Sequence, residues 1–360
     1  MLLLRRFVIF FLLSCLSAAQ TKPALDAATD KAILQGFAGE IGLTDKVGVI
    51  YSRVVSAPGR PHVKGELWRW ASVTKQLTAT LALQQVAIGK LSLDDTLALR
   101  LPDFKGPTAS RITIRMLLQH TSGLPNPDGT PAASPNDFPA FYLRQGPVAG
   151  GISDATGYCA GKPKGAPGDA FNYNNCDYIV LAAVLQRLTG KTFAQLLQDQ
   201  IAAPLALASL RVAEPGNSEP ATVKGFVDGS KAESPFHLAN FSASGAAYGT
   251  LTDLLAFDRA LLNNKLLDSD TTRLAWKGDP KLGYVALGVW SYTAKLSGCS
   301  GEVPLVERRG EIGGIEVRNL LAPSLGRALV VFADRSDLDF GEIWRAEGLS
   351  FLLASAAFCH

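Results

Sequence analysis

The sequence lacks the patterns that indicate a metal centre or a nucleic-acid partner. No two cysteines are separated by two residues, and the four histidines (His62, His120, His237 and His360) stand far apart along the 360 residues. No group therefore has the spacing of a metal-ligand set. The formal net charge is only +3, and no run of lysine and arginine is interleaved with aromatic residues, as is typical of nucleic-acid binding. We expect no metal, no cofactor and no nucleic acid.

The sequence also has no internal repeat, no low-complexity tract and no apolar run at its start long enough to span a bilayer. The apolar segment Phe7 to Leu13 is too short for a comfortable span. A basic segment, Met1 to Arg6, precedes it, and the small residues Ser17-Ala18-Ala19 follow it. These three parts are typical of a secretory signal peptide at residues 1–19. We expect an exported protein, periplasmic or secreted, with no stable membrane span.

Cysteines are few, and their number after cleavage is even. A lipid-modified Cys15 is the less favoured alternative to simple export, because the residues before it fit that pattern imperfectly. The mature chain, residues 20–360, keeps four cysteines, which allow three disulfide pairings, and four buried thiols are the alternative. We favour the pairing that includes the most local bridge: Cys159 with Cys176, and Cys299 with Cys359.

The composition is that of an ordinary globular protein, with 47% hydrophobic and 19% charged residues. A chain of this length can bury one large core, or two subdomains that share a cleft. Apolar periodicity predicts these helices: Leu25–Ile41, Ser72–Ile88, Phe138–Arg144, Asp177–Leu188, Thr192–Ile201, Thr252–Leu262 and Gly341–Ala356. Short apolar runs predict these strands: Lys46–Val55, Gly283–Tyr292, Leu305–Arg309, Ile315–Leu321 and Arg327–Ala333. Strands at both ends with helices between them predict a mixed α/β protein (α+β), with one sheet and a helical insert.

A serine and a lysine one helical turn apart, Ser72-Val73-Thr74-Lys75, form the most informative motif. Residues three apart share a helix face, so Lys75 would lie against the Ser72 hydroxyl. Burial would lower the lysine pKa and leave an amine that activates the serine as a nucleophile. The predicted helix is apolar on more than one face, so it is interior, and its N–H groups could stabilise an oxyanion. The alternative is a serine cap followed by a solvated lysine.

Several segments together resemble the serine β-lactamase and penicillin-binding protein superfamily, in its class C β-lactamase-like branch. The segments that carry the resemblance are Trp70-Ala71-Ser72-Val73-Thr74-Lys75, Gly89-Lys90-Leu91-Ser92-Leu93-Asp94-Asp95, Leu117-Leu118-Gln119-His120-Thr121-Ser122-Gly123-Leu124-Pro125, Pro167-Gly168, Tyr173-Asn174-Asn175, Ser242-Ala243-Ser244-Gly245 and Thr252-Asp253-Leu254. They cover essentially the whole mature chain in the family's order. The resemblance implies an antiparallel sheet flanked by helices, an all-helical subdomain, and a site between them that takes a small-molecule or peptide substrate.

The resemblance also implies roles for four residues. Ser72 would attack a carbonyl and Lys75 would take its proton, while Tyr173 would pass a proton to the leaving group. That role requires the adjacent cation to lower the tyrosine pKa. Asn175 would hold the lysine and a substrate amide. A turn with an exposed aromatic ring is the alternative reading of the tyrosine motif.

The chain departs from the family at the third motif, where a strand beside the site carries Lys-Thr-Gly or His-x-Gly. The best match is Glu311-Ile312-Gly313 followed by Gly314, whose N–H would be the second oxyanion donor. Glu311 would repel the carboxylate of a β-lactam or of a D-Ala-D-Ala terminus. Three cations nearby in sequence could offset it: Arg308, Arg309 and Arg318.

Other polar residues of the family segments are expected to be structural. His120 and Ser122 belong to a turn, and Asp94 and Asp95 to a turn and a helix cap. No G-x-S-x-G elbow is present to support a Ser-His-Asp triad. Two classes of function stay open. The first is a serine hydrolase of esters, amides or D-amino-acid peptides, including β-lactamase or D-Ala-D-Ala carboxypeptidase activity. The second is a catalytically silent relative that binds cell-wall fragments.

Overall fold

The computed structural model describes residues 20–134, 137–143, 152–229 and 231–360. The predicted signal peptide, Cys15 included, lies outside the described residues, as does Arg144 at the end of one predicted helix. Within the described ranges, no helix is both long and apolar enough to cross a membrane.

The centre of the protein is a six-stranded sheet with the strand order β2-β1-β11-β10-β9-β8, and every neighbouring pair is antiparallel. The strands of the chain are β1 (Gly39–Asp45), β2 (Val49–Val55), β3 (Trp68–Arg69), β4 (Arg211–Val212), β5 (Phe226–Asp228), β6 (Lys231–Ala232), β7 (Ala247–Gly249), β8 (Trp290–Ala294), β9 (Val303–Ile312), β10 (Ile315–Ala322) and β11 (Arg327–Ala333). The predicted antiparallel sheet, completed by an N-terminal strand, is confirmed.

Helices cover both faces of this sheet and fill the middle of the chain. They are α1 (20–34), α2 (Thr74–Ala87), α3 (Leu97–Arg100), α4 (Ile114–Leu118), α5 (Ala140–Leu143), α6 (Ile152–Cys159), α7 (Asn175–Thr189), α8 (Phe193–Leu197), α9 (Leu251–Leu262), α10 (Ser269–Ala275) and α11 (Gly348–Phe358). Helix α9 packs on β1 and β11, and α11 packs on β10 and β11 from the opposite face. Helices α3 to α8 form the predicted helical subdomain, in which α7 contacts α2, α4, α6 and α8.

The first predicted helix, Leu25–Ile41, is too long, because its end forms the interior strand β1. The helix ends at residue 34, and Gly36 and Gly39 follow with φ of +91° and +147°. A side chain at Gly39 would collide with the carbonyl oxygen of Phe332 on β11, so the two backbones approach closely there. Strand β1 is buried on both faces up to Thr44, and a short buried segment of this kind is not easily distinguished from a buried helix by periodicity alone.

The other predicted elements are mostly confirmed. The predictions for β11, α9 and α2 agree with the structure to within one or two residues, except that a 3₁₀ turn at Ala71–Val73 precedes α2. The predicted strand Gly283–Tyr292 is wrong over its first part, because Gly283 is left-handed and strand β8 begins only at Trp290. Helix α10 was not predicted.

Two disulfides join the four cysteines of the described residues, in the favoured pairing. Cys159 at the end of α6 is bonded to Cys176 in the first turn of α7, and Cys299 is bonded to Cys359 after α11. The first bridge closes a loop of 17 residues directly beside Asn175. The second closes 60 residues and ties the C-terminal end of the chain to the loop after β8.

A buried polar cluster joins α9, β10 and α2 beneath the site. The Asn319 amide donates to Asp258 Oδ1 at 3.0 Å and to Gln76 Oε1 at 3.1 Å, and both Asp258 and Asn319 are completely buried. Burial raises the pKa of Asp258 to about 8, although the Asn319 hydrogen bond acts in the opposite direction. Asp258 is therefore a neutral acid in the folded protein at neutral pH.

This raised pKa predicts a pH-dependent stability. Between the ordinary aspartate pKa and about 8, the folded protein holds a proton that the unfolded chain has released, so the free energy of unfolding falls as pH rises. Each pKa unit corresponds to about 1.4 kcal/mol. In urea unfolding at pH 5, 6.5 and 8, Asp258→Asn should gain stability relative to wild type as pH rises, by several kcal/mol across the range. The exposed carboxyl variant Asp103→Asn should run parallel to wild type, and a parallel profile for Asp258→Asn would contradict the assignment.

Candidate active site

Ser72 lies where a strained turn meets a buried helix. Strand β3 leads through Trp70 to Ala71, whose φ of +46° is unusual for a residue other than glycine. Ser72 follows in the 3₁₀ turn, and its side chain lines a cleft with a volume of about 530 Å³. The turn therefore presents the hydroxyl to the cleft from the N-terminal end of α2.

Lys75 is completely buried one turn further along, and its amine has three polar contacts. Nζ lies 3.0 Å from Ser72 Oγ, 2.6 Å from Asn175 Oδ1 and 2.8 Å from the carbonyl oxygen of Ser244. Burial, and next the positive charge of Arg308, hold the lysine pKa well below its usual range. A neutral amine has two N–H groups and one lone pair. Asn175 Oδ1 and the Ser244 carbonyl oxygen can only accept, so they take both N–H groups of the neutral form and leave its lone pair facing the Ser72 hydroxyl.

Tyr173 contacts Ser72 from the opposite side. Its hydroxyl donates to Ser72 Oγ at 2.6 Å, and Arg308 Nη2 donates to the tyrosine oxygen at 2.9 Å. Burial raises the tyrosine pKa, although the Arg308 cation acts in the opposite direction. The expectation of a lowered pKa at Tyr173 is thus wrong, and burial favours the neutral phenol. Arg308, Tyr173, Ser72 and Lys75 form a continuous hydrogen-bonded chain.

Asn175 begins α7 and has its amide oriented by two further residues. Its Nδ2 donates to Asp128 Oδ1 at 3.0 Å and to Tyr142 Oη at 2.8 Å, and the Tyr142 hydroxyl in turn donates to Asp128. This arrangement directs Oδ1 toward Lys75, as predicted. Both N–H groups of the amide are thus used within the protein, so Oδ1 is the atom that could still contact a substrate amide.

The third motif lies three residues before its predicted position. A side chain at Gly310 would come within 3.0 Å of the Ser72 nitrogen, whereas Gly313 and Gly314 contact Glu233 and the segment around Phe226. The Gly314 N–H, expected to be the second oxyanion donor, donates to Glu233 Oε2 at 3.0 Å. The strand residues beside Ser72 are therefore Arg308-Arg309-Gly310, and Glu311 follows them.

The register of the β9–β10 hairpin determines which way the backbone N–H of Glu311 points. Ile312 pairs with Ile315 across the two-residue turn, so Glu311 and Glu316 form the next, non-hydrogen-bonded pair. The Glu311 N–H therefore points away from β10, toward the strand edge. On that edge β8 pairs with β9 only as far as Glu307, so the edge is open to the cleft at Glu311.

Arg308 occupies the position of the family's cation, but it is not available to a ligand. Its side chain is 1% exposed, its Nε donates to the Ser72 carbonyl oxygen at 2.8 Å, and Nη2 is bonded to Tyr173. From the sequence alone, Arg308 is expected only as a charge that could offset Glu311. The sequence signal that could have placed Arg308 at the family's cation position is the glycine two residues later, Gly310.

The walls of the cleft differ in character. Phe138, Tyr142 and Phe241 form an aromatic wall, in which the Tyr142 and Phe241 rings stack with centroids 3.8 Å apart. The opposite wall is charged and contains Arg309, Glu311, Glu316 and Arg318.

The acids of the charged wall have raised pKa values. Burial raises the pKa of Glu311, with Arg318 opposing, and it raises that of Glu316 to about 7. Gly313, at the tip of the β9–β10 hairpin, lines the cleft as well.

His120 and Ser122 do not contact Ser72; both bind the buried carboxyl of Asp177. His120 Nδ1 lies 3.0 Å from Asp177 Oδ2 and also accepts the Asn174 N–H. Burial lowers the pKa of His120 well below its usual range and raises that of Asp177 well above it, so it favours the neutral form of both groups. The pair holds the Tyr173–Asn175 segment in place, which agrees with the predicted structural role.

Comparison with known proteins identifies the family. The sequence profile of the Beta-lactamase family matches residues 38–293, more than half of the chain. Esterase EstB of Burkholderia gladioli is 30% identical over 220 residues, which cover 53% of this chain and 52% of the esterase. A β-lactamase of Pseudomonas fluorescens is 26% identical over 198 residues, covering 54% and 49%. The chain thus spans about half the length of the curated relatives it matches.

Solved structures match over nearly the whole chain. A D-stereospecific amidohydrolase from Streptomyces sp. has a TM-score of 0.71 at 23% identity, covering 95% of this chain and 98% of that one. A D-amino acid amidase from Ochrobactrum anthropi SV3 has a TM-score of 0.73 at 20% identity, covering 93% and 97%. At such identities the likeness shows the fold. The profile match and the fold together confirm the family that the motifs indicate: the chain belongs to the Beta-lactamase family, a family of serine hydrolases and penicillin-binding proteins.

Proposed function

We propose that this protein is an exported serine hydrolase that cleaves an ester or amide through an acyl-enzyme on Ser72. The observation that carries the proposal is the hydrogen-bonded chain Arg308–Tyr173–Ser72–Lys75, in which a buried amine lies 3.0 Å from the serine oxygen. A nucleophile between a base and a proton donor is the arrangement that acyl transfer requires. A relative that binds its ligand without catalysis would not require this hydrogen-bonded chain of side chains.

The first step forms the acyl-enzyme. Ser72 Oγ bonds to the substrate carbonyl carbon while its proton passes to the lone pair of Lys75 Nζ. The carbonyl oxygen becomes an oxyanion, and the N–H groups of Ser72 and Glu311 are placed to stabilise it. Arg308 keeps the neutral Tyr173 hydroxyl oriented beside the reacting oxygen.

The second step expels the leaving group and restores the base. Tyr173 donates its proton to the leaving nitrogen or oxygen as the carbonyl–leaving group bond breaks, and Arg308 stabilises the phenolate that remains. The Lys75 ammonium then returns its proton to the phenolate. The neutral amine is again able to deprotonate the water that hydrolyses the ester on Ser72.

Export is part of the proposal. The signal-peptide pattern at residues 1–19 supports it, and so do the two disulfides, since such bonds persist in oxidising compartments.

The charge of the cleft favours neutral or cationic substrates over β-lactams and D-Ala-D-Ala peptides, whose carboxylates need a cation. The family's cation position holds Arg308, which is buried and used by Ser72 and Tyr173. Glu311 faces the cleft instead. β-Lactamase or carboxypeptidase activity is therefore the less supported alternative, and esters and amides are the named substrates of EstB and of the amidase relatives.

The acyl-enzyme is tested by covalent labelling. A fluorophosphonate probe should add to the peptide that contains Ser72, and Ser72→Ala should abolish the adduct. Lys75→Arg keeps a positive charge but supplies no neutral amine. It should slow labelling by at least ~10²-fold, as expected of a lost general base. The control is Lys90→Arg at an exposed position. An adduct on another serine, or normal labelling of Lys75→Arg, would refute the assignment.

The effect of Glu311 is tested by substrate charge. Wild type should have a higher kcat/KM for p-nitrophenyl acetate than for a chromogenic cephalosporin. Glu311→Gln removes the repulsion between Glu311 and the carboxylate of the cephalosporin. The ratio of kcat/KM for the cephalosporin to kcat/KM for p-nitrophenyl acetate should therefore rise up to about tenfold, since roughly 1.4 kcal/mol corresponds to tenfold. The exposed control Glu214→Gln should leave the ratio unchanged. A wild-type preference for the cephalosporin, or no shift in Glu311→Gln, would show that Glu311 does not act on the substrate.

A further inference from the structure

We propose that Asp128 is the binding site for an amino group on the substrate, next to the carbonyl that Ser72 attacks. This inference rests on the proposed function and assigns its substrate class: esters or amides of amino acids with a free ammonium group. Asp128 belongs to the 3₁₀ turn Pro127–Gly129, and its side chain lines the same cleft as Ser72.

The ion pairs of the cleft leave two carboxylates without a cation. Arg309 bridges Glu307 and Glu342, and Arg318 is paired with Glu316. Among the residues that the structure describes, Asp128 and Glu311 line the cleft without forming an ion pair. Among the side chains that line the cleft, the unpaired charges are therefore negative, and an ammonium group complements them. The cation Arg308 forms no ion pair with a described residue either, but its guanidinium is buried and donates to Ser72 and Tyr173.

Asp128 is the better placed of the two carboxylates. Its Oδ1 is 3.0 Å from Asn175 Nδ2, and the other end of that amide is 2.6 Å from Lys75 Nζ, so one side chain separates the carboxylate from the catalytic amine. Gly310 faces the Ser72 nitrogen, and alternation along β9 turns the next side chain, that of Glu311, to the opposite face. Glu311 therefore lies at the rim of the cleft, whereas Asp128 is separated from the Lys75 amine by the amide of Asn175 alone.

The carboxylate is held in one orientation and still has capacity to bind. Tyr142 and Asn175 both donate to Oδ1, while Oδ2 has only the Asn126 amide at 3.3 Å. A carboxylate can accept about four hydrogen bonds, so Oδ2 can receive an ammonium N–H without displacing either partner. The side chain is exposed to the cleft and is fixed before substrate arrives, which lowers the cost of binding.

A different role for Asp128 makes a different prediction. If the carboxylate only orients Asn175, its loss slows every substrate by the same factor. If it binds the ammonium group, its loss slows amino substrates more than substrates without an amine. The ratio of two rates separates these roles, whereas a single rate does not.

The test compares alanine methyl ester, as each enantiomer, with methyl propanoate, which is the same ester without the amine. Hydrolysis is followed by proton release, and Ser72 labelling by a fluorophosphonate is measured in parallel. In wild type, kcat/KM for the better alanine enantiomer should exceed that for methyl propanoate at least tenfold. Asp128→Asn should lower this ratio at least tenfold. Asp137→Asn, at a carboxyl outside the cleft that binds Ser134 and Ser234, should leave it unchanged.

The outcomes of this test distinguish a failure of the Asp128 site from a failure of the proposed hydrolase function. Absence of Ser72 labelling would overturn the proposed function and, with it, this site. Labelling without a preference for the amino ester, or an equal loss of both rates in Asp128→Asn, would overturn the site and leave the hydrolase in place. A ratio that falls in Glu311→Gln but not in Asp128→Asn would move the site to Glu311. If Asp128→Asn does not fold, Asp128→Ser provides the same comparison.

Discussion

The site depends on one constraint, a lysine amine that is buried without a partner of opposite charge. Lys75 is completely enclosed, and among the described residues it forms no ion pair; its contacts are a hydroxyl, an amide oxygen and a carbonyl oxygen. A charged ammonium in such a place is costly, so the neutral form is favoured and the pKa falls. Burial also raises the pKa of the nearby Asp177 carboxyl well above its usual range, which weakens the support that its negative charge gives to the ammonium form of Lys75. The interior thereby favours the neutral amine, which is the form that the proposed mechanism uses as a base.

Each part of the fold supplies one side of that enclosure. The 3₁₀ turn before α2 carries Ser72, and α2 itself carries Lys75. The start of α7 carries Asn175, and β9 brings Arg308 against the serine and the tyrosine. The disulfide between Cys159 and Cys176 fastens α6 to the first turn of α7, directly after Asn175. The catalytic groups are therefore held by packed helices and a sheet, which restricts their positions more than loops would.

Site residues that lie close together along the chain could be predicted from the sequence. Site residues whose position depends on the register of a strand or on the approach of distant segments could not. Ser72 and Lys75 could be predicted because one helical turn places them together, and Tyr173 and Asn175 because their motif is short and contiguous. Arg308 could not be distinguished from Glu311, because both precede a glycine by two residues and only the contact of Gly310 with Ser72 decides between them. Asp128 and Tyr142 were missed because their roles come from a loop and a short helix that converge only in the fold. Strand β1 was missed because both its faces are buried.

The most direct test of this account is the protonation state of Lys75 in the resting enzyme. NMR of protein labelled with ¹⁵N at lysine Nζ would follow each amine through a pH titration, and the Lys75 signal is identified by its loss in Lys75→Arg. The account predicts that this signal is that of a neutral amine at a pH where a free lysine is still charged, and that Asn175→Leu, which removes an acceptor, does not restore an ordinary titration. A Lys75 signal that titrates together with the solvent-exposed lysines would contradict it.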